Sequence, residues 1–328
     1  MFVRELLLAF FALLNVVHAN DFFKKYCSEW HQGTLHICKN FDFISGDIEI
    51  ISNASRIIIE KSYIDNLNTE FFNKFPNSSS ITIKYSTVNF TEKGSRSSHP
   101  LTDLKLFYTK VFGNKNTTAL GSLSNLRNVE VVLPTVECLE YPHIDTKFFI
   151  NNSNLETLTL SFFSIKNDFT DNFLEDGSLD SLRKLSYVVY IFGKQKHISK
   201  NLFKNNGQLK YLELYSNEID TIDQEALPSS LESLDISKNN IKDIHGIFTN
   251  LVSLEKLLLF NNKIETIKED TFKSLQNLKV LDISHNKIKS LHMRYFDSRK
   301  KLRTLHATDN DNLEWDKDLE KLILNFVV

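Results

Sequence analysis

Leu209-Lys-Tyr-Leu212-Glu-Leu214-Tyr-Ser-Asn217-Glu-Ile219 is the stretch on which the reading of this chain turns. Its apolar positions 1, 4, 6 and 11 and its Asn at position 9 recur as Leu231, Leu234, Ile236, Ile241 and Asn239. They recur as Leu254, Leu257, Leu259, Ile264 and Asn262, and as Leu278, Leu281, Ile283, Ile288 and Asn286. A fraying copy reads Leu302, Leu305, Ala307, Asn310 and Leu313. The Asn residues step by 22, 23, 24 and 24. Positions 4 and 6 are two apart, so both point to one face of a short strand. Positions 1, 9 and 11 fall where the chain bends into and out of that strand. One copy cannot bury this set alone, but stacked copies bury it continuously. Asn suits position 9 because its side chain both donates and accepts, and so satisfies backbone groups opened by the bend.

This period and pattern are those of the leucine-rich repeat. The expected fold is α/β, a solenoid or horseshoe with a parallel sheet on its concave side. The register runs backwards through copies starting near 182, 155, 126, 101, 78 and 54, for about 11 repeats over residues 54–312. The earlier copies lack the Asn: their ninth positions are Ser62, Ser86, Thr109, Pro134, Phe163 and Tyr190. Hydroxyls substitute in part; Pro134 and Phe163 cannot. Copies there are also longer, 25 to 29 residues, which predicts looser and more helical segments such as 171–185.

Residues 1–19 read as a signal peptide: a short head, an apolar run over 6–17 broken by Asn15, then Val17-His18-Ala19 with cleavage after Ala19. About a dozen apolar residues suit such a core and are too few to span a bilayer. No later segment is long enough to cross a membrane, so the mature chain is expected to be secreted into the extracellular space. Residues 20–53 form an N-terminal cap holding Cys27 and Cys38, which outside the cell are expected to bond. Residues 313–328, with Trp315, Leu319, Leu322, Ile323 and Phe326, read as a C-terminal capping helix. Cys138 is left as an odd thiol, open either to an intermolecular disulfide or to burial as an inert apolar residue.

Composition narrows the function. A formal charge of -2 implies no general attraction to nucleic acid. Sequons at Asn53, Asn77, Asn89, Asn116 and Asn151 are candidate glycan sites on a secretory chain. His-Glu-x-x-His, Gly-x-Ser-x-Gly and phosphate-binding Gly loops are all missing, so no enzyme, no catalytic residue and no cofactor is expected.

The signal peptide, the early cysteine pair, the repeat ladder and the Trp-centred terminal cap resemble short secreted leucine-rich-repeat proteins of insects, including the leucine-rich immune proteins. That resemblance implies a chain that circulates or sits in matrix and binds other proteins, sometimes through a disulfide. The coiled coil of the longer immune members and a cysteine in the terminal cap are not found up to Val328. Two readings follow: innate immune recognition of a protein partner on the concave face, or a matrix or adhesion component that self-associates.

Three surface features are candidates for chemistry. Asp282 and His306, and His285 and Asp309, fall at equivalent positions of adjacent copies, as a metal or acid-sensitive site or as surface ion pairs. No metal is called. Residues 254–303 hold 12 Lys/Arg against 6 Asp/Glu, a patch for sulfated glycans or a solvated face. Positions 7 and 8 of the middle copies, pointed at solvent by the repeat, carry an apolar stripe: Tyr85, Phe107, Tyr108, Val132, Leu133, Phe162, Val188, Val189 and Tyr215. Exposed apolar surface marks interaction sites, so this stripe is the expected partner-binding face. The alternative is that the long copies have slipped in register and these residues are core.

Overall fold

The computed structural model describes residues 27–30, 34–40, 42–43, 53–91, 99–113, 120–121, 123–133, 149, 151–162, 174–296, 301–322 and 325–328. The signal peptide, Asn116, Pro134, Cys138 and Phe163 lie outside them. The chain is a leucine-rich-repeat solenoid, built as two compact units that divide between Leu155 and Glu156 among the described residues.

In the first unit, Leu35–Lys39, Arg56–Glu60, Ser80–Lys84, Asp103–Phe107 and Asn128–Leu133 form a parallel sheet, one strand per coil. Cys27–Trp30 closes its end antiparallel to Leu35–Lys39, with Cys27 opposite Cys38 and a disulfide between them. A second parallel ribbon, Asp42–Phe43, Tyr63–Leu67, Thr87–Phe90 and Lys110–Gly113, follows the bend of each coil. In the second unit the sheet is Thr157–Phe162, Tyr187–Ile191, Tyr211–Glu213, Ser233–Asp235, Lys256–Leu258, Val280–Asp282, Thr304–His306 and Asn325–Val327, again parallel throughout.

The ladder fills the interior as its spacing predicts. Leu212, Leu234, Leu257 and Leu281 are fully buried in matched register, and Ile236, Leu259 and Ile283 lie beside them. Phe248, Phe272 and Phe296, one per coil, stack behind that layer at 6.4 and 5.8 Å. Each position-9 Asn clamps the backbone of its own coil to that of the coil before it. Asn262 donates to the carbonyls of Ile236 and Leu259, at 3.0 and 3.1 Å, and accepts from the Ile241 amide at 3.1 Å. Ser86 does part of this work in the first unit, accepting from the Ser62 amide and donating to the Lys84 carbonyl.

Helices are few. Thr69–Asn73, capped by the Asn68 side chain on the amides of Glu70 and Phe71, and Asp318–Leu322 are the α-helices among the described residues. The helical character expected over 171–185 is not seen in its described part: 174–185 runs as turns, with Leu182 and Leu185 amides bonded three residues back. The capping helix expected over 313–328 is confined to Asp318–Leu322. Asn325–Val327 beyond it pairs with Thr304–His306 instead, because its backbone completes the open sheet edge.

One buried polar group predicts a pH effect. His99 is 5% exposed, accepts from the Leu101 amide through Nδ1 and faces the Phe75 carbonyl through Nε2 at 3.0 Å. That geometry fixes a neutral ring with its proton on Nε2. Desolvation pushes the His99 pKa below its ordinary value. The unfolded chain therefore binds the extra proton first, and stability contributed above about pH 6.5 is lost as pH falls through that value. Urea unfolding from pH 7.5 to 5 should show a steeper loss in the wild type than in His99→Gln; parallel curves would refute this.

Candidate binding surface

Position 8 of nearly every described coil holds a left-handed backbone: Lys61, Tyr85, Tyr108, Ser216, Lys238, Asn261, His285 and Asp309 all have φ between 50° and 55°. The bend throws that side chain outward. In the first unit this exposes Tyr85 (58%) and Tyr108 (48%), whose rings stack at 5.6 Å and 5°. Phe107 and Val132 beside them are half-buried, and the Lys105 ammonium lies 6.0 Å from the Phe107 ring.

Four members of the predicted stripe are corrected. Leu133 and Phe162 are buried, each 4% exposed. Their strands, Asn128–Leu133 and Thr157–Phe162, are six residues long and run on through position 8 without the left-handed bend. In an uninterrupted strand, position 8 shares the inward face of positions 4 and 6. Phe162 accordingly packs edge-on against Tyr190, at 5.5 Å. Val188 and Val189 are buried too, 1% and 6% exposed. Val188 pairs with Leu212, so this coil starts at Leu185, three residues later than the sequence reading placed it, and Val188 takes the inward position 4; Val189, opposite Glu213 at position 5, is buried and the register does not explain it. Leu179, Leu182 and Leu185 repeat every three residues, which allowed the early register.

The corrected register brings forward residues that counting missed. Phe192, at φ 58°, takes position 8 and packs on Tyr215 at 5.3 Å, with the Lys238 ammonium 5.6 Å from the Tyr215 ring. Tyr187 and Tyr211 sit at position 3 of adjacent coils, rings 6.0 Å apart, and Tyr187 donates to Glu213 at 2.9 Å. Burial, then Asp235 and Glu213, push the Tyr215 phenol pKa up, so it stays a neutral hydrogen-bond donor. A second-strand pairing signal, the position-3 aromatic on consecutive copies, was available in the sequence once the Leu185 start is used.

The two Asp–His pairs form, His285 to Asp309 at 3.0 Å and His306 to Asp282 at 3.8 Å. Among the described residues no group of three or more His, Cys, Asp or Glu could hold a metal ion. The basic run over 254–303 is partly paired: Lys279 bonds Glu255 at 2.7 Å and Arg294 meets Glu269 at 3.7 Å. Asn53, Asn77 and Asn151 are exposed and Asn89 half-buried, all outside positions 2–8 of their coils. No helix among the described residues is long and apolar enough to cross a membrane.

Comparison with known proteins agrees with this architecture. The leucine rich repeat family pattern matches residues 254–311, and a two-copy leucine-rich-repeat pattern matches 229–274. Toll-like receptor 2 type-1 of Gallus gallus is 34% identical over 149 residues, 42% of this chain and 18% of the receptor. Epiphycan of Mus musculus is 31% identical over 158 residues, 45% of this chain and 47% of epiphycan. The chain thus spans under half the length of these relatives. Among solved structures, Toll from the Drosophila Toll–Spatzle complex superposes with a TM-score of 0.60 at 20% identity, over 81% of this chain and 36% of Toll. An internalin of Listeria monocytogenes superposes at 0.50 and 18% identity, over 88% and 76%. The chain is a leucine-rich-repeat protein with homology to Toll-like receptor 2 and epiphycan; the structural likenesses speak for the fold alone.

Proposed function

We propose that this chain is a secreted, glycosylated leucine-rich-repeat protein that binds a protein partner through the outward face of its strand rows, in innate immune recognition. The observation that carries this reading is the exposure of large aromatic rings on that face in each unit, Tyr85 and Tyr108 in one and Tyr211 in the other, although the coil interior is already filled. Tyr and Phe are favoured in interface cores, where a rigid ring buries much area at little entropic cost. Homology to Toll-like receptor 2 supports the immune assignment. Homology to epiphycan favours a second reading, a matrix component that self-associates. No catalytic role is proposed, and no nucleic-acid partner or cofactor. An intermolecular disulfide through Cys138 is part of the proposal; a non-reducing gel of native secretions showing monomer alone would contradict it.

The test uses Tyr211→Ala with Tyr215→Ala as bait against the wild type, on the animal's own extracellular fluid. We expect the melting temperature to shift little and capture of the partner to fall by at least about tenfold, as for residues at an interface centre. Equal capture by the two baits would contradict the reading. Concentration-dependent self-association in light scattering, with no captured partner, would support the matrix alternative.

A further inference from the structure

Tyr85 and Tyr108 hold a left-handed backbone that Asn or Gly adopts with less strain, and they are among the most exposed large apolar side chains described. The repeat imposes that backbone at position 8 of nearly every described coil, so what sets these two apart is the aromatic ring held in water there, which points to function rather than to folding. Charge around them is one-sided. Lys61 precedes Tyr85 and Tyr108 in the same row, and Lys84 lies beside Phe107 in the neighbouring row. Lys110 stands two residues past Tyr108, opposite Thr87. None of these three lysines has an acidic partner among the described residues. The nearby acids are taken: Glu60 is bonded to Lys39 at 2.9 Å, Glu130 to Lys105 at 2.9 Å, and Asp65 accepts from Tyr63 and Asn66. Adjacent strands are about 4.8 Å apart, so aromatic edges and ammonium groups alternate within reach of one ligand.

We infer that Lys61, Lys84 and Lys110, with Tyr85 and Tyr108, form a docking site for an acidic segment of a protein partner that also carries apolar side chains. This rests on the reading that the outward strand rows bind protein. Charge complementarity selects the acidic side chains, and the stacked rings select apolar ones. A sulfated glycan offers the charge without matching the apolar area.

The experiment is fluorescence anisotropy on the full chain with three labelled probes: a peptide of alternating Glu and Leu, the same peptide with Lys for Glu, and a heparin oligosaccharide. The acidic peptide should bind and the basic one should not. Lys61→Glu with Lys84→Glu and Lys110→Glu should weaken binding at least about tenfold, as should raising the salt to shorten the screening length. Tyr85→Asn with Tyr108→Asn should weaken it similarly while leaving the melting temperature equal or higher, because Asn relieves the backbone strain; a misfolded variant is thereby excluded. Lys256→Glu with Lys263→Glu, in the second unit, should change nothing. Equal binding of both peptides, indifference to the charge reversals, or heparin binding without peptide binding would overturn the inference. If the lysine variants still capture the native partner while Tyr211→Ala with Tyr215→Ala do not, this site fails and the general reading stands.

Discussion

Asn262→Leu is expected to lower the free energy of unfolding by about 2–5 kcal/mol, the largest effect of any single polar change proposed for this chain. The side chain is 6% exposed and satisfies three backbone groups at once: the Ile236 and Leu259 carbonyls and the Ile241 amide. Leucine fits the volume but leaves the Ile241 amide buried and unpaired, at roughly 1–3 kcal/mol, and takes one of two donors from each carbonyl, since Ile236 keeps Asn239 and Leu259 keeps Asn286, at roughly 0.5–1 kcal/mol each. Denaturant unfolding should show the midpoint falling with little change in slope, since the surface exposed on unfolding is nearly unchanged. Ser86→Ala should cost less, about 1–2 kcal/mol, because one hydroxyl serves only the Ser62 amide and the Lys84 carbonyl. If Asn262→Leu costs under about 1 kcal/mol, the Asn clamp is not what holds the coils in register.

Gly193→Asn should destabilise the chain, although it installs the residue that the repeat pattern calls for. In the coil that starts at Leu185, Tyr190 takes position 6 and Gly193 position 9. Tyr190 is fully buried, and a Cβ at Gly193 would collide with its ring. Gly193 has no positive φ, so the obstacle is the ring and not the backbone. The large residue at position 6 and the small one at position 9 therefore compensate each other. Overpacking of this kind costs about 1–3 kcal/mol. Tyr190→Leu with Gly193→Asn should recover part of the loss, giving a non-additive cycle of at least about 0.5 kcal/mol. A stabilised Gly193→Asn would return the coil to the earlier register.

The pair also explains how far the sequence could be read. From Leu209 onward, each copy has one Leu at position 1 and an Asn at position 9, and the inward residues are buried as that pattern predicts, except Leu313 in the last copy, which is half-buried. Before that point, several apolar residues compete for each position. Leu179, Leu182 and Leu185 offer three starts, and only strand pairing of Val188 with Leu212 selects the last. Leu133 and Phe162 follow from a different blindness: the pattern does not say whether the chain bends at position 8 or runs straight, and that choice alone decides which face they occupy. The second ribbon of the first unit was legible in hindsight as Tyr63-Ile64, Thr87-Val88 and Lys110-Val111, an alternation just past the bend. Of the predicted binding face, Tyr85, Phe107, Tyr108, Val132 and Tyr215 lie outward or half-buried; Phe192 and Tyr187 were missed because their coil was misnumbered, and Tyr211 because only positions 7 and 8 were read as the binding stripe.

Hydroxyl-radical footprinting, read by mass spectrometry on the tyrosines with and without the captured partner, tests the central claim most directly. In the free chain, Tyr85, Tyr108 and Tyr211 should label strongly and Tyr190 hardly at all. With the partner bound, labelling of Tyr211 and Tyr215 should fall severalfold while Tyr295, 7% exposed and away from the strand rows, stays as it was. Strong labelling of Tyr190, or a bound state in which Tyr211 and Tyr215 label as in the free chain, would contradict the account.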